Sequence, residues 1–212
     1  MPAPSFVQGN ANGDPTSGTV TTCSFTSNVA AGNLLVVATS FASVSETAAV
    51  TDSLGNTYST AIGPTTSNSI SSREYIFYAV AASSGANTIT VTNSNPVIFR
   101  RVAIHEYSGV NTLEATAGAN NTTGAPDSGP VTTTHANALI FGWGISNNGT
   151  TTAGTGFTLR ETALSESTED KIVSSTGTYD AIYPNDGSAW ICQVAAFYYV
   201  SPAAAVTAWL RA

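Results

Sequence analysis

The side chains able to do reactive chemistry are few: two histidines, two cysteines and thirteen carboxylates. His105 and Glu106 are adjacent in a predicted strand, so their side chains point to opposite faces and cannot pair as a base and its orienter. Glu106 follows Val102 and Ile104 at period two, which predicts a buried, hydrogen-bonded structural glutamate. His135, in Thr132-Thr133-Thr134-His135-Ala136, sits where a turn enters a strand and is expected to be solvated. The chain has no H-x-x-x-H or C-x-x-C spacing, no G-x-S-x-G elbow and no phosphate-cradling loop. No catalytic residue is therefore expected, and a hydrolase reading lacks a nucleophile with its base.

Metal chemistry has two weak candidates. Glu161, Glu166, Glu169 and Asp170 form one acidic cluster in a Ser/Thr-rich stretch, and hard oxygen ligands of this kind suit Ca²⁺. Its spacing matches no Ca²⁺ loop, and Arg160 and Lys171 flank it, so a solvated acidic loop is the expectation. Asp52 with Asn56 is the other oxygen-rich turn; its order reads first as hairpin chemistry and second as a structural Ca²⁺ site. No cofactor is otherwise implied. Cys23 lies in the first predicted strand and Cys192 in the last, and two readings stay open. A bridge between them would contribute roughly 5 kcal/mol in the chain-entropy model; the alternative is two buried free thiols.

Sugar recognition needs flat aromatic faces exposed beside polar groups. Trp143 runs at period two with Leu139, Phe141 and Ile145 and reads as core, as does Trp190 with Cys192, Val194 and Ala196. Gly142 and Gly144 leave the opposite face of that strand thin, as if for the close approach of another chain. Tyr58, Tyr183 and Trp209, near turns or the terminus, are the candidates for ligand stacking, with core or interface packing as the competing role.

The elements that would position these residues are short β-like runs: Thr19–Thr26, Leu34–Thr39, Tyr75–Ala82, Thr88–Thr92, Val97–Tyr107, Leu139–Ile145, Phe157–Thr162, Lys171–Ser175, Tyr179–Tyr183 and Trp190–Val200. Turn chemistry separates them, as in Asp52-Ser53-Leu54-Gly55-Asn56, Asn93-Ser94-Asn95-Pro96 and Asn147-Asn148-Gly149. Only Ala203–Leu210 could form a short helix. A weak repeat sets Gly32-Asn33-Leu34-Leu35-Val36 against Asn137-Ala138-Leu139-Ile140-Phe141, and Arg73-Glu74-Tyr75-Ile76-Phe77 against Glu169-Asp170-Lys171-Ile172-Val173. Each half would then be a sheet unable to bury its face alone, a problem that face-to-face packing solves. The expected fold is all-β: an antiparallel two-sheet β-sandwich of jelly-roll or immunoglobulin-like type, with two pseudo-repeated halves. The expected organisation is an N-terminal arm (1–14), a single sandwich domain (15–200) with halves at about 15–110 and 131–200, and a C-terminal tail (201–212). The Gly- and Pro-bearing stretch Gly109–Pro130 would be the crossover.

Composition narrows the partners. Charged residues make up 9% of the 212, against about 25% in ordinary domains, while 25 serines and 32 threonines supply hydroxyls. Six basic residues disfavour a nucleic-acid surface. No apolar run approaches the roughly 20 residues of a spanning helix, so no membrane partner is expected. Met1–Phe25 contains neither a basic n-region nor an apolar h-region. Two expectations follow: an excised secreted module, or an intact product released by lysis as virion proteins are. Met1 and the ending Ala205–Ala212 favour the second.

The order Gly32-Asn33-Leu34-Leu35-Val36, Thr51-Asp52-Ser53-Leu54-Gly55-Asn56-Thr57-Tyr58, Gly85-Ala86-Asn87-Thr88-Ile89-Thr90-Val91 and Glu106-Tyr107-Ser108-Gly109 resembles a recurring β-sandwich module of large bacterial secreted proteins and of phage tail or virion genes. Gly154–Arg160 and Glu169–Val173 extend the resemblance, which spans about residues 5 to 200. It implies a non-enzymatic adhesive or structural role and no catalytic residues. The expected function is thus a phage virion surface component (capsid decoration, tail or fibre) acting through interfaces with other virion proteins or with itself. The alternative is a secreted carbohydrate-binding module. Its place would be the virion surface or the extracellular space.

Overall fold

The computed structural model describes residues 3–184 and 187–201, and among them it is all-β. The first half comprises β1 (Ser5–Asp14), β2 (Gly18–Ser24), β3 (Leu34–Ala42), β4 (Ala48–Asp52), β5 (Ser59–Ser67), β6 (Ser72–Val80) and β7 (Thr88–Ser108). The second comprises β8 (Thr112–Asn121), β9 (Val131–Thr133), β10 (Ala138–Ser146), β11 (Thr158–Ala163), β12 (Glu166–Val173), β13 (Gly177–Tyr179) and β14 (Trp190–Tyr198). The strands pair antiparallel throughout. None of the described residues forms a helix long and apolar enough to cross a membrane.

Two inner sheets carry the architecture. The first has the order β1-β7-β3-β6-β5, and the second, in the direction that stacks on it, β11-β12-β10-β14-β8. They pack face to face: Leu34, Val36 and Ala38 of β3 with Ile76, Ala103 and Tyr107 meet Leu139, Phe141, Trp143, Ile191 and Phe197 of the second sheet. Sandwich packing of antiparallel sheets is what the sequence predicts. Each inner sheet, however, has a second greasy face. The N-terminal part of β7 pairs with β2 and β4 as a first outer sheet, closing Leu35, Val37, Phe77, Val102 and Ile104 against Cys23, Ile89 and Val91. On the far side, β9 and β13 with neighbouring loops close Ile140, Cys192, Val194 and Ala196 under Val131, Ala181 and Tyr183. Strands buried on both faces need no alternation, which explains why Leu34–Phe41 and all of Ala138–Ser146 are buried without a break. Each fully buried Leu, Val or Phe contributes about 1.5–3 kcal/mol.

Three expectations on organisation are corrected. Ser5–Asp14 is not an arm but an edge strand, paired with β7 from Ser5↔Ser108 to Asp14↔Arg100. Its sequence is polar because side-chain amides help to hold it: Gln8, Asn10 and Asn12 donate to the carbonyls of Ser27, Ser24 and Thr22. The stretch assigned to a crossover contains β8, whose Ala115, Ala117 and Ala119 pack on the third core, where small side chains suffice. Asn93-Ser94-Asn95-Pro96 is not a turn: β7 runs through it for 21 residues, passing from the outer to the inner sheet. The tail from 202 and the helix expected at Ala203–Leu210 lie outside the described residues.

Candidate functional site

The acidic cluster is where the structure departs furthest from the sequence reading. It is no solvated loop. Glu166, Ser167, Thr168, Glu169 and Asp170 are consecutive buried positions of β12. Alternation sends Glu166, Thr168 and Asp170 toward β7 of the first sheet, where Arg101, His105 and Tyr107 present the matching alternation. Three polar contacts result. The Arg101 Nη2 lies 3.7 Å from Glu166 Oε1. His105 Nε2 lies 2.8 Å from Thr168 Oγ1. Tyr107 donates to Asp170 Oδ2 at 2.8 Å, which Arg160 Nε also reaches at 2.8 Å. Burial, the dominant influence, lowers the His105 imidazole to about 3, so it is neutral. These groups tie the two inner sheets together.

On the opposite face of β12, Glu169 Oε2 accepts from the Gly154 N–H at 2.6 Å, and burial raises its carboxyl to about 7. No group of three or more His, Cys, Asp or Glu among the described residues is placed to hold a metal. Of the residues proposed as Ca²⁺ ligands, Glu169 is separated by the pleat from Glu166 and Asp170, and all three are engaged elsewhere. Asp52 is likewise saturated. It accepts from the Leu54 and Asn56 N–H groups, both Asn56 and Asn87 side-chain amides, and the Tyr58 hydroxyl. Burial pushes its carboxyl up, but the Asn56, Asn87 and Tyr58 hydrogen bonds outweigh this and hold it below the usual value.

The ligand-stacking candidates move too. Tyr183 is fully buried and donates to the Ser167 carbonyl at 2.7 Å. Tyr58 is half-buried against the first core, stapling the Asp52 turn. Trp209 lies outside the described residues. Gly142 and Gly144 do mark a close approach, but by this chain's own segment: a Cβ on Gly142 would come 2.8 Å from Ala181 Cβ, and one on Gly144 2.5 Å from the Tyr183 ring. Cys23 and Cys192 are both free and buried, in the first and third cores respectively, with both inner sheets between them, so no bridge forms. Glu106 is the buried structural glutamate, accepting from Gln8, the Ala30 N–H and Asn33. His135 is not simply solvated: its Nδ1 lies 2.9 Å from Glu114 Oε1 and its ring stacks on Tyr198 at 3.8 Å.

What the sequence did not reveal is a cleft of about 510 Å³ at one end of the two inner sheets. It lies between two corresponding hairpins, the β5–β6 turn at Ser71 and the β11–β12 turn at Leu164-Ser165. Arg101 and Glu166, 12% and 6% exposed, sit at its floor, with Ile145 beside them. Phe99 and Leu164, 45% and 37% exposed, stand at its rim. Ser71, Phe99, Leu164 and Ser165 all adopt positive φ (49°, 50°, 49° and 70°). For bulky residues such as Phe and Leu this backbone region is unusual and strained by about 1–3 kcal/mol. Of the five non-glycine residues with positive φ among those described, these four line this one cleft. Buried beside the floor is Glu74, completely inaccessible, both of whose carboxyl oxygens meet no hydrogen-bond donor of the described protein. Its carboxyl is raised by burial and then by the charge of Glu166, with Arg101 opposing. No periodicity announces this assembly, because its parts come from five separate segments.

Compared with family models, with curated proteins and with solved structures, the chain finds no match.

Proposed function

We propose that this is a non-enzymatic structural and adhesive protein, displayed on a virion surface or outside the cell, that works through its surfaces. The observation that carries this reading is the cross-sheet polar seam: His105, Asp170 and Tyr107, groups able to do acid–base work, are hydrogen-bonded to one another or to partners across the two inner sheets, with Arg160 donating to Asp170. A neutral histidine and a carboxylate held by two donors, as Asp170 is, hold sheets in register and are poor proton carriers. The outward faces carry hydroxyls in place of charge, as at Thr22, Ser24, Thr26, Ser27, Thr51, Thr57, Ser59 and Thr60. Such a surface offers hydrogen bonds while avoiding indiscriminate ion pairing. The resemblance to modules of secreted and virion proteins points the same way, with other virion proteins or further copies of the chain as partners.

Light scattering over a wide range of concentration, combined with turnover assays on ester, glycoside and peptide substrates, tests the reading. Concentration-dependent assembly without turnover is expected. A strictly monomeric species, or turnover abolished by His105→Ala in a folded protein, contradicts it.

A further inference from the structure

We infer that the cleft between the two hairpins is a binding site for a neutral saccharide. This rests on the adhesive reading and gives it a ligand. The size fits, since small-molecule sites run about 300–1,000 Å³, and this one holds about 510 Å³.

The chemistry of the walls selects the class. The floor places a donor beside an acceptor: Arg101 Nη2 and Glu166 Oε1 lie 3.7 Å apart, and Arg101 Nη1 donates to the Phe99 carbonyl at 3.0 Å, which orients the guanidinium. A vicinal diol answers both groups at once, donating to the carboxylate and accepting from the guanidinium. The two floor charges cancel, so neither an anion nor a cation is favoured. The rim supplies apolar surface for the C–H face of a sugar ring, from Phe99 and Leu164, and the side-chain amide of Asn148 sits beside it. An apolar peptide anchor fits less well. It would seal the partly exposed Arg101 guanidinium from water without offering it an acceptor, at a penalty of about 1–3 kcal/mol. The left-handed backbone at Phe99 and Leu164 gives the rim a fixed shape, and a preordered wall reduces the entropy lost on binding.

The test applies the intact protein to an array of neutral hexose- and N-acetylhexosamine-terminated oligosaccharides, followed by titration calorimetry with the best of them. Binding is expected, weakened about tenfold or more by Phe99→Ala and by Glu166→Gln. Ile172→Ala, an exposed residue on another part of the surface, should leave it unchanged. Phe99 is exposed, so its variant keeps the fold even if the floor variant does not. Silence of the wild type across the array overturns the proposal, as does binding that survives Phe99→Ala, or preference for apolar peptides over sugars. Light scattering of the wild-type protein beside its sugar titration separates this from the wider reading. Assembly without sugar binding defeats only the saccharide, whereas sugar binding by a strict monomer defeats only the assembly.

Discussion

Leu34 and Leu139 hold the same station in the two inner sheets, and from them the halves can be compared position by position. On the faces that meet, Val36 corresponds in station to Phe141, Ala38 to Trp143 and Ser40 to Ile145. Small side chains in one sheet answer large ones in the other, as interdigitated packing at crystal-like density requires. On the outer faces the relation differs: Val37 corresponds to Gly142 and Thr39 to Gly144. The first half covers this face with a regular outer sheet made by the extension of β7. The second has only three-residue strands there and lays the segment around Ala181–Tyr183 directly on the glycines. One strand order therefore tolerates two kinds of cover, provided that the side chains beneath are trimmed to match. The same comparison aligns the two glutamates of the cleft. Glu74 pairs with Ser40, and the β10–β12 register, extended one step beyond Gly144↔Ser167, sets Glu166 against Ile145.

If the meeting faces are matched large against small, Trp143→Ala should be the most damaging change, about 3–5 kcal/mol, read from denaturant unfolding. A loss below about 1 kcal/mol would mean that Trp143 is not the central fill.

The second test uses pH and contrasts Glu169, opposite Gly142, with its apolar counterpart Phe77, opposite Val37. The folded Glu169 carboxyl, at about 7, lies above its ordinary 4.5. A folded value above the unfolded one means that this contribution is full below about 4.5 and is lost as pH rises through about 7. The span is on the order of 3 kcal/mol. Glu169→Gln should reduce that fall in stability across the window, leaving the part due to Glu74, which shifts in the same direction. An unchanged pH profile would show that Glu169 is hydrated.

The third and smallest effect tests the thin cover. Gly144→Val should cost about 1–3 kcal/mol by driving a side chain into the Tyr183 ring. Adding Tyr183→Ala should make the double variant less unstable than the sum of the two singles, a coupling measurable in a double-mutant cycle. Strict additivity would deny the contact.

Much of the fold was legible because burial leaves local marks. Val, Ile and Phe runs located β2, β3, β6, β10, β11 and β14 to within a few residues, split β7 in two and caught only the ends of β12 and β13, and Trp143 and Trp190 were placed in the core by period two alone. β1 escaped because it is held by backbone and amide hydrogen bonds, which leave no apolar stripe. The repeat was seen, but its register slipped: matching Glu74 to Asp170 followed like charges, whereas the ladders align Glu74 with Glu166. The acidic strand was misread for a deeper reason. Glu166, Thr168 and Asp170 are buried only because Arg101, His105 and Tyr107, about sixty residues away in sequence, arrive on the facing side of β7. The cleft was invisible on the same ground, since a left-handed Phe or Leu carries no composition signal.

The central claim is that the polar groups of the β7–β12 seam are sealed struts between the two inner sheets, and His105 reports on it most directly. An NMR pH titration of its ring should find the imidazole neutral for as long as the protein stays folded, with protonation deferred to about pH 3. A midpoint near the ordinary 6.5 in the folded protein would place His105 in contact with solvent and return it to the list of groups able to do chemistry.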